Sequence, residues 1–228
     1  MDQNVNSINI SNLKFGYTEN KNIIDIEFLK IQKGEKVFIY GPSGHGKSTL
    51  LNLISGVLNF KEGEIEILGK SVKNLSVSRK DELRGSKIGY IFQIFNLIPY
   101  LNVTENVVLP CLINKSRSSN QDFYMQAEEL IKKLNLFEHK DKNPTTLSIG
   151  QQQRVAQARA LIGNPEIIIA DEPTSSLDEK NTIEFMNLLL SEWEKRKFTL
   201  IFVSHDERLK KYFDRSLSLP EINKAELV

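Results

Sequence analysis

The octapeptide Gly41-Pro42-Ser43-Gly44-His45-Gly46-Lys47-Ser48 constrains what this chain can fold into more than any other stretch. It follows the short apolar run Lys36-Val37-Phe38-Ile39-Tyr40 and precedes Leu50, Leu51, Leu53 and Ile54, apolar positions at helical spacing. G-x-x-x-x-G-K-[ST] between a strand and a helix is the pattern of a phosphate-binding loop. The glycines let the backbone curl so that its N–H groups face inward, and the helix starting near Lys47 adds the positive end of its dipole. Lys47 is then placed to reach the β- and γ-phosphates and the Ser48 hydroxyl to ligate Mg²⁺, with Thr49 closing the contact run. His45 is read as offering its backbone N–H rather than an imidazole base.

A second stretch supplies the carboxylates such a loop needs. Glu166-Ile167-Ile168-Ile169-Ala170-Asp171-Glu172 reads as a buried parallel strand ending in two acids. Ligands of open α/β sheets bind at that edge. Asp171 suits Mg²⁺, directly or through water, and Glu172 is placed to polarise an attacking water. Two acids at a strand end are often only solvated; in a chain with a complete phosphate loop they read as the other half of a nucleoside triphosphatase.

The remaining pattern alternates strand-like and helix-like segments, an α/β architecture. Strands are expected at 7–15, 23–31, 63–68, 87–92, 166–170 and 198–203, and helices at about 122–135, 148–162 and 179–196. Between roughly 94 and 146 the character changes: Pro99, Pro110, Pro144 and the polar run 114–120 mark a helical insertion. The expected organisation of residues 1–228 is a mainly parallel core with an antiparallel N-terminal β part (1–93 and 164–228) and a helical subdomain at 94–163.

Leu147-Ser148-Ile149-Gly150-Gln151, continued by Gln152-Gln153-Arg154-Val155-Ala156-Gln157-Ala158-Arg159-Ala160-Leu161, resembles the signature of ATP-binding-cassette proteins. Physically, Ser148 can cap the new helix and Gly150 permits close backbone approach, which makes a second anion site. The resemblance implies a P-loop ATPase whose two copies sandwich ATP, the loop of one facing Ser148, Gly150 and Gln151 of the other. It also implies roles for Gln93 (Mg²⁺, attacking water and relay to a membrane partner), His205 (γ-phosphate), Tyr17 (adenine stacking), and Ser176 and Asp178 in the loop Ser175-Ser176-Leu177-Asp178 that crosses the dimer. The family's motif set covers about residues 7–218. Ile149 departs from it, standing where a first glycine is commonest; since β-branched residues avoid positive φ, ordinary dihedrals are expected there.

Only 101 positions separate Lys47 from Ser148, too few for the long coiled coils of chromosome-maintenance relatives, and a single cassette excludes the two-cassette translation factors. The run Gln93-Ile94-Phe95-Asn96-Leu97-Ile98-Pro99 followed by Leu101–Pro110 resembles the lipoprotein-release, macrolide-exporter and cell-division group, which implies a membrane permease as partner and an apolar groove for its coupling helix. A regulatory cassette that transports nothing is the alternative; a small P-loop kinase or GTPase lacks the N-K-x-D motif and leaves the signature unexplained. The balance of 30 basic and 29 acidic residues gives nucleic acid no electrostatic support. The single cysteine, Cys111, fits a reducing compartment, Met1–Asn6 shows no secretory pattern, and no apolar run approaches the ~20 residues that span a bilayer. The expectation is a cytoplasmic protein, peripheral on the inner face of the cell membrane.

Overall fold

The computed structural model describes residues 6–18, 21–118 and 122–225. Most of the N-terminal segment read above for a leader, the end of the polar run 114–120 and the last residues of the tail lie outside them. In chain order the elements are β1 (Asn6–Phe15), β2 (Ile24–Gln32), β3 (Lys36–Tyr40), α1 (Lys47–Ile54), β4 (Glu62–Ile67), β5 (Lys70–Ser71), α2 (Val77–Lys87) and β6 (Ile88–Ile91). There follow α3 (Val103–Ile113), α4 (Phe123–Lys133), α5 (Ile149–Leu161), β7 (Ile167–Asp171), α6 (Glu179–Arg196), β8 (Thr199–Val203), β9 (Arg215–Ser218) and α7 (Leu219–Ile222). They pack as two units, Met1–Arg84 with Thr199–Val228, and Gly85–Phe198.

In the first unit, period-2 alternation makes an antiparallel sheet of order β2-β1-β4-β5. Ile10 sits opposite Leu29 on one side and Ile65 on the other, and all three are buried. Each such aliphatic contributes roughly 1.5–3 kcal/mol by burial. The continuous apolar runs behave differently: β3 pairs in parallel with both β8 and β9, and Val37, Phe38, Ile39, Leu200, Ile201, Phe202 and Val203 are all buried. Phe38 stacks on Phe202 with centroids 6.1 Å apart. The C-terminal segment returns to β2, where Asn223 accepts from the Asp25 N–H (2.7 Å) and donates to the Ile23 carbonyl (2.8 Å).

In the second unit β6 and β7 run parallel, with Ile91 opposite Ala170. Gly89 is glycine because a Cβ there would lie 2.1 Å from the Ala160 carbonyl oxygen of α5. Arg117, almost fully buried, organises this unit: Nε donates to Ile162 O (2.9 Å), Nη1 to Gly85 O (3.1 Å) and Ile88 O (2.7 Å), and Nη2 to Ala160 O (2.8 Å). The cation sits at the C-terminal end of α5, where the helix dipole is negative. Burial pushes its pKa down to about 10, still charged at neutral pH.

Glu192 of α6 is also buried, 2.9 Å from Arg196, 3.2 Å from Lys195 and 3.4 Å from Lys133. Burial opposes its charge, but the three cations outweigh that and hold its carboxyl below the ordinary value of 4.5. A depressed carboxylate contributes stability fully above the unfolded value and loses it as pH falls through the folded one. Glu192→Gln is therefore expected to destabilise the chain near pH 7, with the gap to the parent closing below about pH 4.5; urea midpoints measured on both sides of that pH check this.

The antiparallel sheet, the parallel strands and the helical stretch expected from the sequence are all present. Three helices were not expected: α2, α3 and the short α7, which falls in what reads as a tail. α2 buries only Leu83, so it has no apolar stripe to read. α3 carries Pro110 in its interior, yet a capping box between Asn102 and Glu105 starts it firmly.

Candidate functional site

In the first unit, the phosphate loop links β3 to α1. Gly46, the residue before α1, is left-handed (φ 86°, ψ 11°), and a Cβ on it would lie 3.0 Å from Ile24 Cδ1. Only glycine fits both demands. No side chain caps α1, so the N–H groups of its first turn are aimed as an anion would require. Buried Lys47 folds over the loop and donates from Nζ to Gly41 O (2.9 Å) and Pro42 O (3.0 Å). Pro42, Ser43, Gly44 and Ser48 are exposed. The His45 ring donates from Nδ1 to Ser43 O at 3.1 Å, occupying the imidazole within the loop.

Two further candidates share this unit. Tyr17 is 62% exposed; its hydroxyl lies 3.3 Å from Thr49 Oγ1 and its ring edge meets Phe15 at 5.1 Å, leaving an aromatic face open beside the start of α1. His205 follows β8, the parallel neighbour of β3, so it emerges at the same sheet edge as the loop. It is exposed on a turn held by buried Ser204, whose hydroxyl accepts from Asp206 N (3.0 Å). Arg208 grips Asp206 through Nε (2.8 Å) and Nη2 (2.9 Å) and holds its carboxyl below the usual range. Sequence reasoning passed over this clamp, because a short Asp-x-Arg spacing carries no distinctive signal.

In the second unit, Asp171 ends β7, and Gln93 emerges two residues beyond the end of the parallel β6 at the same edge of the pair. Burial, and next the Asp171 carboxylate, push the Tyr90 hydroxyl upward. Glu172 has φ +44°, a left-handed conformation costing a non-glycine residue on the order of 1–3 kcal/mol. The turn after it bonds Ser175 N to Glu172 O at 3.2 Å. Ser176 and Asp178 are exposed, and Asp178 caps α6 by accepting from Asn181 N (2.8 Å).

The loop after Gln93 is tied to the signature helix. Arg159 of α5 donates to Phe95 O and Asn96 O, both at 2.6 Å, and buried Asn106 of α3 bonds both polar atoms of the Ile98 backbone. Neither tether was apparent from the sequence, which shows Arg159 as one of several polar residues on a helix. Ser148 caps α5 as its type allows: its hydroxyl accepts from Gln151 N (3.3 Å) while Gln151 Oε1 accepts from Ser148 N (2.9 Å). Ile149 is the first residue of α5, outside the positive-φ region as expected, and 54% exposed. The signature end of α5 therefore faces outward from its own unit.

A family model described as ABC transporter matches residues 25–175. The chain belongs to the ABC transporter family. It is an ATPase cassette of that family, and ATP is its nucleotide. The cassette is 38% identical, over 207 residues spanning 89% of this chain and 88% of the relative, to the lipoprotein-releasing system ATP-binding protein LolD of Francisella tularensis subsp. holarctica (strain OSU18). It is 40% identical over 191 residues to the macrolide export ATP-binding/permease protein MacB of Chlorobium luteolum, covering 84% of this chain and 28% of that protein. Among solved structures it resembles the dimeric post-hydrolysis state of the ATP-binding cassette MJ0796 bound to ADP and Pi, with TM-score 0.82, 37% identity, and 92% of this chain and 93% of that one covered.

Proposed function

We propose that this cassette works as one of two identical copies that clamp ATP between them and hydrolyse it to drive a membrane permease of the lipoprotein-release or macrolide-exporter type, from the cytoplasmic face. The observation that carries this reading is the outward-facing N-terminal end of α5, with Ser148 exposed and Ile149 54% exposed. A second phosphate-directed helix end on one chain has a purpose when a neighbouring copy brings the nucleotide to it.

On this reading the loop Gly41–Thr49 wraps the phosphates, Lys47 offsets charge on the transferring phosphoryl group, and Tyr17 stacks on adenine. Glu172 orients the attacking water and accepts its proton, and His205 holds the γ-phosphate. Ser148, Gly150 and Gln151 act on the opposite copy's nucleotide, with Ser176 and Asp178 at the crossing. Ser48, Gln93 and Asp171 offer a hydroxyl, an amide oxygen and one carboxylate, a hard and sparse donor set of the kind Mg²⁺ accepts while keeping water. Held by them, Mg²⁺ would supply neutralisation of phosphate charge.

Among the described residues no helix is long and apolar enough to cross a membrane; on this reading the permease supplies the membrane spans. Its docking surface is the apolar run beyond β6: Ile94 is 79% exposed and Tyr100 81%. The test is co-purification of the cassette with a membrane permease from its own cells, followed by an export assay in vesicles. Tyr100→Asp is expected to weaken that association on the order of 30-fold, as loss of an aromatic anchor does. Capture of a permease without ATP-dependent export would replace transport by the regulatory role of the cell-division relatives.

A further inference from the structure

Gly150 raises a question that its backbone does not answer. It lies in the first turn of α5 outside the positive-φ region, where alanine is ordinarily the better residue. What a side chain would meet is Asn181 of the same unit: a Cβ at position 150 would lie 2.8 Å from Asn181 Oδ1 and 3.3 Å from its Cγ. That amide is not idle. Its Nδ2 donates to both carboxylate oxygens of Asp178, each at 3.0 Å, in the loop expected to cross the dimer. A small cavity lined by Gly150, Gln153, Leu177, Asn181 and Phe185 adjoins the contact. Gln153 is fully buried there, and among the described residues neither polar atom of its amide has a hydrogen-bond partner. A side chain at position 150 would therefore push the Asn181 amide off Asp178.

We propose that Asn181 is a positioning residue that sets the Asp178 loop against the signature helix, its amide occupying the space of the side chain that Gly150 lacks. The role in dimer formation rests on the ATP-driven dimer proposed above; the contact itself does not.

The contact is read in the nucleotide-free chain by a double-mutant cycle on thermal unfolding. Gly150→Ala is expected to lower the midpoint in the parent, and to leave it unchanged or raise it in an Asn181→Ala background, where only helix propensity remains. Equal losses in both backgrounds would overturn the proposal whether or not the chain hydrolyses ATP. The positioning role is read in Glu172→Gln chains by size-exclusion chromatography with ATP. Adding Gly150→Ala is expected to weaken the dimer about tenfold, a coupling within the range for touching residues, and Asn181→Ala to abolish that added penalty. An equal penalty with and without Asn181, or none in either, would overturn it. If Glu172→Gln alone fails to dimerise, the dimer reading falls and takes the positioning role with it, while the unfolding cycle still decides the contact.

Discussion

Glu172→Gln is expected to lower ATP turnover by about 10²-fold or more and to leave an ATP-loaded dimer that survives chromatography. Glutamine matches glutamate in size and pays the same backbone penalty at φ +44°, so the substitution changes chemistry rather than fold. What it removes is a carboxylate able to orient water and take its proton. Binding through the phosphate loop and Lys47 is untouched, so nucleotide affinity should hold while the chemical step stalls. Monomer alone in the presence of ATP and Mg²⁺ would count against the dimer, and near-parental turnover would remove Glu172 from its role.

Arg117→Met is expected to destabilise the chain by about 3–5 kcal/mol, a loss on the order of 10 °C in unfolding midpoint. Methionine fills much of the volume and supplies no donor. The carbonyls of Gly85, Ile88, Ala160 and Ile162 would then lose the guanidinium they share, and desolvated acceptors left unpaired are costly. Arg117→Lys keeps the charge but cannot span four carbonyls with a planar fork, so an intermediate loss is expected. Differential scanning calorimetry of both variants checks this; a loss under about 1 kcal/mol for Arg117→Met would show that water or neighbouring donors take over those carbonyls. The same helix, α5, begins at the signature, so its far end is anchored by one residue from a polar stretch that reads as a loop.

The legible parts of this protein were those with local cause. Gly46 must be glycine where a left-handed residue opens a helix, and the Gly-rich loop between an apolar run and a helix therefore announced itself. Ser148 and Gln151 lie three apart and cap one another, a relation written in four residues. The strands β3, β7 and β8 read directly as unbroken apolar runs. By contrast, α2 shows no apolar stripe and α3 hides a proline, so pattern reading passed over both.

From its residues alone, then, the chain determined its family, its nucleotide-binding loop, its catalytic carboxylates as candidates and the order of most of its strands and helices. These depend on short-range stereochemistry: glycine dihedrals, caps and periodicity act between neighbours. Folding decided the rest: that Arg117 holds the end of α5, that Arg159 ties the loop after Gln93 to that helix, and that Asn181 fills the space of a side chain at Gly150. Each such contact joins residues tens of positions apart through a carbonyl or a missing Cβ, and neither leaves a mark in the local sequence.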